Sequence, residues 1–198
     1  MIFFCLAGSV AVENRAARRA RDSGEFQQCP VAASGSRDRY NTGVAIVIRE
    51  FKPGDFETLW RMDQECFPPG IAYSKQELKT YVRHRGSFTL VATNSDDGKA
   101  AGFIVVHEGV HDDRTGHVIT IDVIAAARRA GVGSLLLQAA EERLRAGGSR
   151  AVGLETAVDN LAALSFYKRH GYSVVRTWPR YYPHGVDALV MKKELTSA

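Results

Sequence analysis

Cysteine is scarce in this chain: three in 198 residues, Cys5, Cys29 and Cys66, far apart and without the paired spacing of a metal site. An odd, scattered set excludes a disulfide framework and a cysteine-based zinc centre, and it fits a reducing, cytoplasmic setting. Long apolar runs are missing too. The stretch Met1–Val12 lacks the basic residues that open a secretory signal, and it is far shorter than the about 20 residues that cross a bilayer. No membrane role is expected. Repeats and low-complexity tracts are absent, which excludes solenoids and fibres. Neither sign of charge dominates: 26 basic against 22 acidic residues give +4 at neutral pH. That excess suits an anionic ligand or an RNA-rich neighbourhood, but it is too small to call for direct nucleic-acid binding.

What is present is ordinary for a globular domain, with 45% hydrophobic and 24% charged residues. Residues 1–43 differ from the rest. Arg15, Arg18, Arg19 and Arg21 sit in an alanine-rich stretch, followed by Gly, Ser and Asp punctuation up to Gly43. This segment is expected to be a flexible extension or the product of a start codon placed too far upstream, and no function is assigned to it. The folded domain is expected over 44–198.

Within it, Val44–Arg49 predicts a strand. Pro53-Gly54-Asp55 opens a helix to about Cys66, which Pro68-Pro69-Gly70 breaks. Ser74 with Glu77 three residues on is a capping box for a second helix to about His84. Ser87–Thr93 and Ala101–His107 predict strands around the turn at Asp96-Asp97-Gly98-Lys99. Val118–Ile124 is β-branched enough for a central strand. In the helix that follows, Leu135, Leu136, Ala139, Ala140 and Leu144 form the apolar stripe, with Glu141 and Arg145 paired on the outer side. A strand over Arg150–Thr156, a helix over Asn160–His170 and two closing strands, Tyr172–Thr177 and Val186–Lys192, complete a mixed sheet with helices on both faces.

The most informative segment is Arg128-Arg129-Ala130-Gly131-Val132-Gly133-Ser134, where a strand turns through two glycines into a helix. Backbone N–H groups converge at such a helix start, and the helix dipole adds about half a positive charge. Glycine lets the backbone approach a phosphate, and the two arginines add mobile positive charge. A P-loop requires lysine after the glycine, where Ser134 stands. A dinucleotide fingerprint requires a third glycine, where Leu136 stands. The R/Q-x-x-G-x-G/A turn of the GNAT acetyltransferases is matched in full by Arg128, Gly131 and Gly133.

Further motifs follow in order. Leu154-Glu155, Asn160, Ala163, Tyr167 and Gly171-Tyr172 reproduce the spacing L-E-x-x-x-x-N-x-x-A-x-x-x-Y-x-x-x-G-F/Y. Glu65-Cys66-Phe67-Pro68, Gly116-His117-Val118 and Arg180-Tyr181-Tyr182-Pro183 add to it. The region from Phe51 to Leu195 therefore resembles the GNAT superfamily, and within it the RimI-type ribosomal-protein-alanine N-acetyltransferases.

The resemblance implies the GNAT fold, with the mixed sheet splayed between its middle strands, and acetyl-CoA as co-substrate. Ile121, Asp122 and Val123 would offer backbone hydrogen bonds to the pantetheine arm. Residues Arg128, Arg129, Ala130, Gly131, Val132, Gly133 and Ser134 would cradle the pyrophosphate, and Asn160 would touch the cofactor unless it is a plain helix cap. Glu155 would be the base, through a water, and Tyr167 the acid. Phe67, Pro68, Tyr181 and Tyr182 would flank the acceptor. The implied acceptor is a protein N-terminus, a ribosomal protein's terminal alanine first; a lysine, a small amine or an aminoacyl-tRNA are the alternatives. Acetyl transfer needs a neutral amine and a proton for the leaving thiolate. An α-amine titrates at about 7.7–8.0, so a modest base suffices, whereas a lysine at about 10.4 needs more.

Three positions depart from the pattern. Ala125 and Ala127 stand where a proline and an aromatic residue are common, and Ala157 replaces an arginine near the base. A rival from another class is the literal H-E-x-x-H at His107, Glu108 and His111, with His117 at the third-ligand distance of a zinc protease. That motif requires a helix. Here a strand run precedes it, and strand residues four apart lie about 13 Å from each other. No metal is expected.

Overall fold

The protein is described by a computed structural model that covers residues 45–109, 114–182 and 185–195. The extension over 1–43, the expected strand start at Val44, His111 of the zinc-like motif, and Pro183 lie outside the described residues.

The chain order is β1 (Ile46–Glu50), a short 3-10 turn (Pro53–Asp55), α1 (Phe56–Cys66), α2 (Lys75–Arg83), β2 (Ser87–Asn94), β3 (Ala100–His107), β4 (Thr115–Val123), a second 3-10 turn (Ala125–Ala127), α3 (Val132–Ala146), β5 (Ala151–Ala157), α4 (Leu161–Arg169), β6 (Ser173–Trp178) and β7 (Ala188–Glu194). One seven-stranded sheet runs β1-β2-β3-β4-β5-β7-β6. All neighbours are antiparallel except β4 and β5. The mixed sheet expected from the sequence is therefore present.

Two apolar clusters hold the layers together. On one face α3 and α4 pack against the sheet through Leu136, Leu137, Leu144, Phe166 and Tyr167. On the other, Leu59, Met62 and Phe67 from the α1 region and Leu78 from α2 cover Val91, Phe103 and Val105. Burying one such leucine or phenylalanine contributes about 1.5–3 kcal/mol. The capping box of α2 forms as its sequence predicts: Glu77 N–H donates to Ser74 Oγ at 3.3 Å, and Ser74 N–H donates to Glu77 Oε2 at 2.9 Å.

The α3 stripe is rotated from the sequence expectation. Leu137 is buried with Leu136, and Glu141 faces inward. Tyr172 donates its hydroxyl to Glu141 at 3.0 Å, and Lys193 pairs with the same carboxylate. A buried carboxylate needs partners, and these come from β7 and the start of β6, which local periodicity cannot reveal.

Two irregularities shape the middle of the sheet. In β4 the pairing with β3 jumps, Thr120 opposite Val105 and Val118 opposite Val106, so Ile119 is an extra residue. The parallel pairing of β4 with β5 then covers only Thr115, Gly116 and His117 against Ala151, Val152 and Gly153. Beyond that point the two strands part. A residue insertion raises local twist, and divergence of two parallel strands opens a wedge in the sheet.

Candidate active site

The wedge and the glycine loop adjoin. From Val118 to Val123, β4 keeps β3 on one edge and no described strand on the other. Ile121, Asp122 and Val123 lie on this stretch, with all three side chains buried. The carbonyl of Val123 accepts from Arg128 Nε at 2.9 Å and from Cys66 Sγ at 3.5 Å. Arg128 is thus tied to the end of β4, and the mobile charge expected of it is corrected to a fixed one.

The loop itself bends through two left-handed residues, Arg129 at φ 61° and Gly131 at φ 81°. Gly131 is the N-cap of α3 and has no side chain to close it, whereas Ser74 closes α2 and Asn160 closes α4. The first-turn N–H groups of α3 therefore have no side-chain cap, an arrangement that can receive an anion. A cavity of about 210 Å³ opens there, lined among others by Arg128, Arg129, Gly131, Gly133, Ser134 and Arg169. Three guanidinium groups around an uncapped helix start suit a pyrophosphate-bearing molecule. Arg169, on the last turn of α4, was not legible as a member of this group. Its only signal is its place two residues after Tyr167.

Asn160 serves as the cap of α4, its Oδ1 accepting from Ala163 N–H at 3.2 Å. That commits the oxygen to the helix. Ala130 and Val132 complete the turn between the arginines and the helix, Val132 in the core.

At the narrow end of the wedge, His117 Nε2 lies 2.9 Å from Glu155 Oε2. The Glu155 side chain keeps 13% of its exposure and His117 35%, so the pair is reachable from solvent yet partly sheltered. His117 stands opposite Gly153 in the parallel ladder, and Glu155 is two residues further on the same strand. Sequence could not join them, because that register is a tertiary fact. Behind His117, His107 is its direct partner on β3 and stacks on His84 at 4.6 Å. Burial, with help from His84 and His117, pulls His107 down to about 4, so it is neutral at physiological pH. It closes a strand and not a helix turn, which removes the geometry the zinc reading needs. No group of three metal-ligating side chains gathers among the described residues.

Tyr167 is fully buried on α4, edge-on to Phe166 and Tyr172. Phe67 is buried between Cys66 and Pro68, which is exposed. Tyr182 is buried and Tyr181 half-buried, their rings 5.1 Å apart in the turn that follows β6.

A second buried group sits under β4. Asp63 of α1 accepts from Tyr73 N–H at 2.8 Å and from Gln64 Nε2 at 3.0 Å. Burial pushes its carboxyl up to about 7. Asp122, shut away from solvent and with Asp63 nearby, is raised well above the usual carboxylate range, and Cys66 is raised to about 11, chiefly by burial. Asp63 was missed by the sequence reading, although it falls four residues after Leu59 on the buried stripe of α1.

Residues 56–172 match the Acetyltransferase (GNAT) family. The chain belongs to this family. It is an acetyl-CoA-dependent N-acetyltransferase. An N-alpha-acetyltransferase from Sulfurisphaera tokodaii is 36% identical over 160 residues, spanning 75% of this chain and 92% of that protein. The crystal structure of Ard1 from Thermoplasma volcanium superposes with a TM-score of 0.69 at 28% identity, covering 77% of this chain and 99% of that one. The ribosomal-protein-S18-alanine N-acetyltransferase from Escherichia coli shares the fold, with a TM-score of 0.67 at 23% identity over 77% and 96% of the two chains. None of the described helices is long and apolar enough to cross a membrane.

Proposed function

We propose that the enzyme acetylates the N-terminal α-amine of a protein, and that the carrying observation is the Glu155–His117 pair at the closed end of the wedge. In this reading Ile121, Asp122 and Val123 hold the pantetheine arm along the open edge of β4. The loop from Arg128 to Ser134, with Arg169 and Asn160, holds the phosphates. The acetyl group then arrives where β4 and β5 converge, beside the pair.

Glu155 takes the proton of the incoming amine. His117 keeps the carboxylate oriented and spreads the positive charge that arrives. Because an α-amine titrates at about 7.7–8.0, this pair need only remove a proton that is already loosely held. Tyr167 gives a proton to the departing sulfur: a phenol near 10 is protonated at neutral pH and can serve a thiolate whose acid titrates near 8.5. Phe67, Pro68, Tyr181 and Tyr182 wall the acceptor side. An apolar slot with polar tips admits one peptide end and orients it.

The related N-alpha-acetyltransferase supports the α-amine as acceptor. The narrower acceptor, a ribosomal protein's terminal alanine, is supported by the motif resemblance, and Ala157 in place of arginine bears on it. The test is coenzyme A release with peptides varied at their first two residues, set beside N-terminally blocked lysine peptides and polyamines. Turnover on free α-amines above the blocked and polyamine controls is expected, with alanine-first peptides leading. Preference for polyamine or lysine refutes the acceptor assignment.

A further inference from the structure

His170, the C-cap residue of α4, bridges two elements of the cofactor site. Its Nδ1 lies 2.8 Å from the carbonyl oxygen of Phe166, and its Nε2 lies 3.0 Å from Ser134 Oγ. A carbonyl only accepts, so Nδ1 carries a proton. In the neutral ring Nε2 is then bare, and the Ser134 hydroxyl donates its hydrogen bond to it. Ser134 lines the cavity with Arg128, Arg129 and Arg169. With its proton turned toward His170, the Ser134 hydroxyl offers the cavity only lone pairs, and a phosphate oxygen also only accepts. Addition of a proton from solvent to Nε2 reverses the bond: Nε2–H donates to Ser134 Oγ, and the Ser134 hydroxyl proton is released to donate to a phosphate.

We propose that His170 is a positioning residue that acts through Ser134, so that coenzyme A binding takes up a proton at His170. The proposal rests on the reading of the Arg128–Ser134 loop as the phosphate cradle. Charged groups face His170 from each element packed against it. Arg169 precedes it, Lys168 lies on its own helix, and Arg128 and Arg129 face the shared cavity. On β7, Lys193 lies alongside Gly171 and is paired to Glu141 of α3. A bound phosphate would bring negative charge to this cluster, and a protonated imidazole would face it as a counter-charge. The Phe166 ring, 4.4 Å from the imidazole, shields it on one side.

The test is calorimetric titration of the full chain with coenzyme A at about pH 6, 7 and 8, each in two buffers of different ionisation enthalpy, which reads proton uptake directly. His170→Leu removes the relay. His170→Gln replaces Nε2–H with an amide donor that does not titrate. The phosphates of the ligand titrate near pH 6 in every variant and set a common background. Wild type should take up more protons than His170→Leu, and its affinity should fall on the order of tenfold more between about pH 6 and 8. His170→Gln should hold the tight affinity across the range without the excess uptake. Equal pH slopes and equal uptake in wild type and a folded His170→Leu overturn the proposal. If the leucine variant fails to fold, a wild-type slope equal to that of His170→Gln overturns it instead. Wild type that binds no coenzyme A at any pH overturns the cradle reading and the proposal together, a result distinct from binding with an unaltered pH slope.

Discussion

Substituting alanine separately at the two loop glycines should give opposite results. Gly131 sits at φ 81° and ψ −4° as the N-cap of α3. A residue with a Cβ pays about 1–2 kcal/mol in that left-handed region, so Gly131→Ala favours a relaxed loop over the cradle geometry. Binding then occurs only from the minor fraction that keeps the cradle, and the apparent affinity falls with that fraction, about 5- to 30-fold. Gly133 differs. A Cβ built there lies 3.5 Å from Phe166 Cε2 and 3.8 Å from Val123 Cγ2, which are ordinary contacts. Gly133 is also inside the helix, where alanine is better than glycine by up to about 1 kcal/mol. Gly133→Ala should therefore raise the melting temperature by about 2–6 °C and leave coenzyme A affinity within about twofold. Calorimetric titration, with circular dichroism to verify folding, reads both. A folded Gly131→Ala variant with wild-type affinity refutes the cradle argument. So does a Gly133→Ala variant that loses as much as Gly131→Ala, because nothing in the protein would then distinguish the two positions.

Glu155→Gln should lower turnover by about 10²–10⁴-fold, most at low pH, and recover partly above about pH 8, where α-amines are neutral without help. His117→Ala should follow the same profile. If the 2.9 Å pair acts as a unit, the double variant loses no more than the worse single one; multiplying losses refute that. Tyr167→Phe keeps the shape of a fully buried ring, so a folded variant should retain coenzyme A affinity and lose turnover at all pH values; a fully active one rules out Tyr167 as the acid. Asp63→Asn tests the buried acid. Its carboxyl is raised to about 7, above the usual 3.9, so the folded state holds the extra proton between about pH 4 and 7 and stability falls as pH rises through that window. The asparagine variant should lack that loss, becoming the more stable form in thermal melts above about pH 7; parallel melting curves from about pH 4 to 8 would contradict the assignment.

Much of this was legible because the signals are local. Ser74 and Glu77 carry their cap within one turn, and the glycine loop carries its helix start within seven residues. Most of the misses are cases in which the folded neighbours of a residue decide. Glu141 reads as a solvated residue until Tyr172 and Lys193 close over it. Arg128 reads as a free cation until the Val123 carbonyl binds it. His117 stands only in a family motif and at a zinc-ligand spacing until the parallel register of β4 and β5 brings it to Glu155. Asn160 satisfied its helix-cap reading locally, and its part toward the cofactor remains a proposal.

The short seam between β4 and β5 has a mechanical consequence. Strands β1 to β4 form one raft and β5, β7 and β6 another, and within the sheet only three rungs on each side, Thr115–His117 against Ala151–Gly153, stitch them. Beneath that seam Leu144 of α3 presses on Gly116 so closely that a Cβ there would lie 2.6 Å from its methyl carbon. In the proposed binding mode, a pantetheine arm laid into the gap would add the missing rungs and splice the two rafts. Any ligand bound only by the folded form raises its stability in step with occupancy. Cohesion of this fold should therefore rise and fall with the acetyl-CoA supply, and a cell short of acetyl-CoA would hold an enzyme that parts more readily along its own seam.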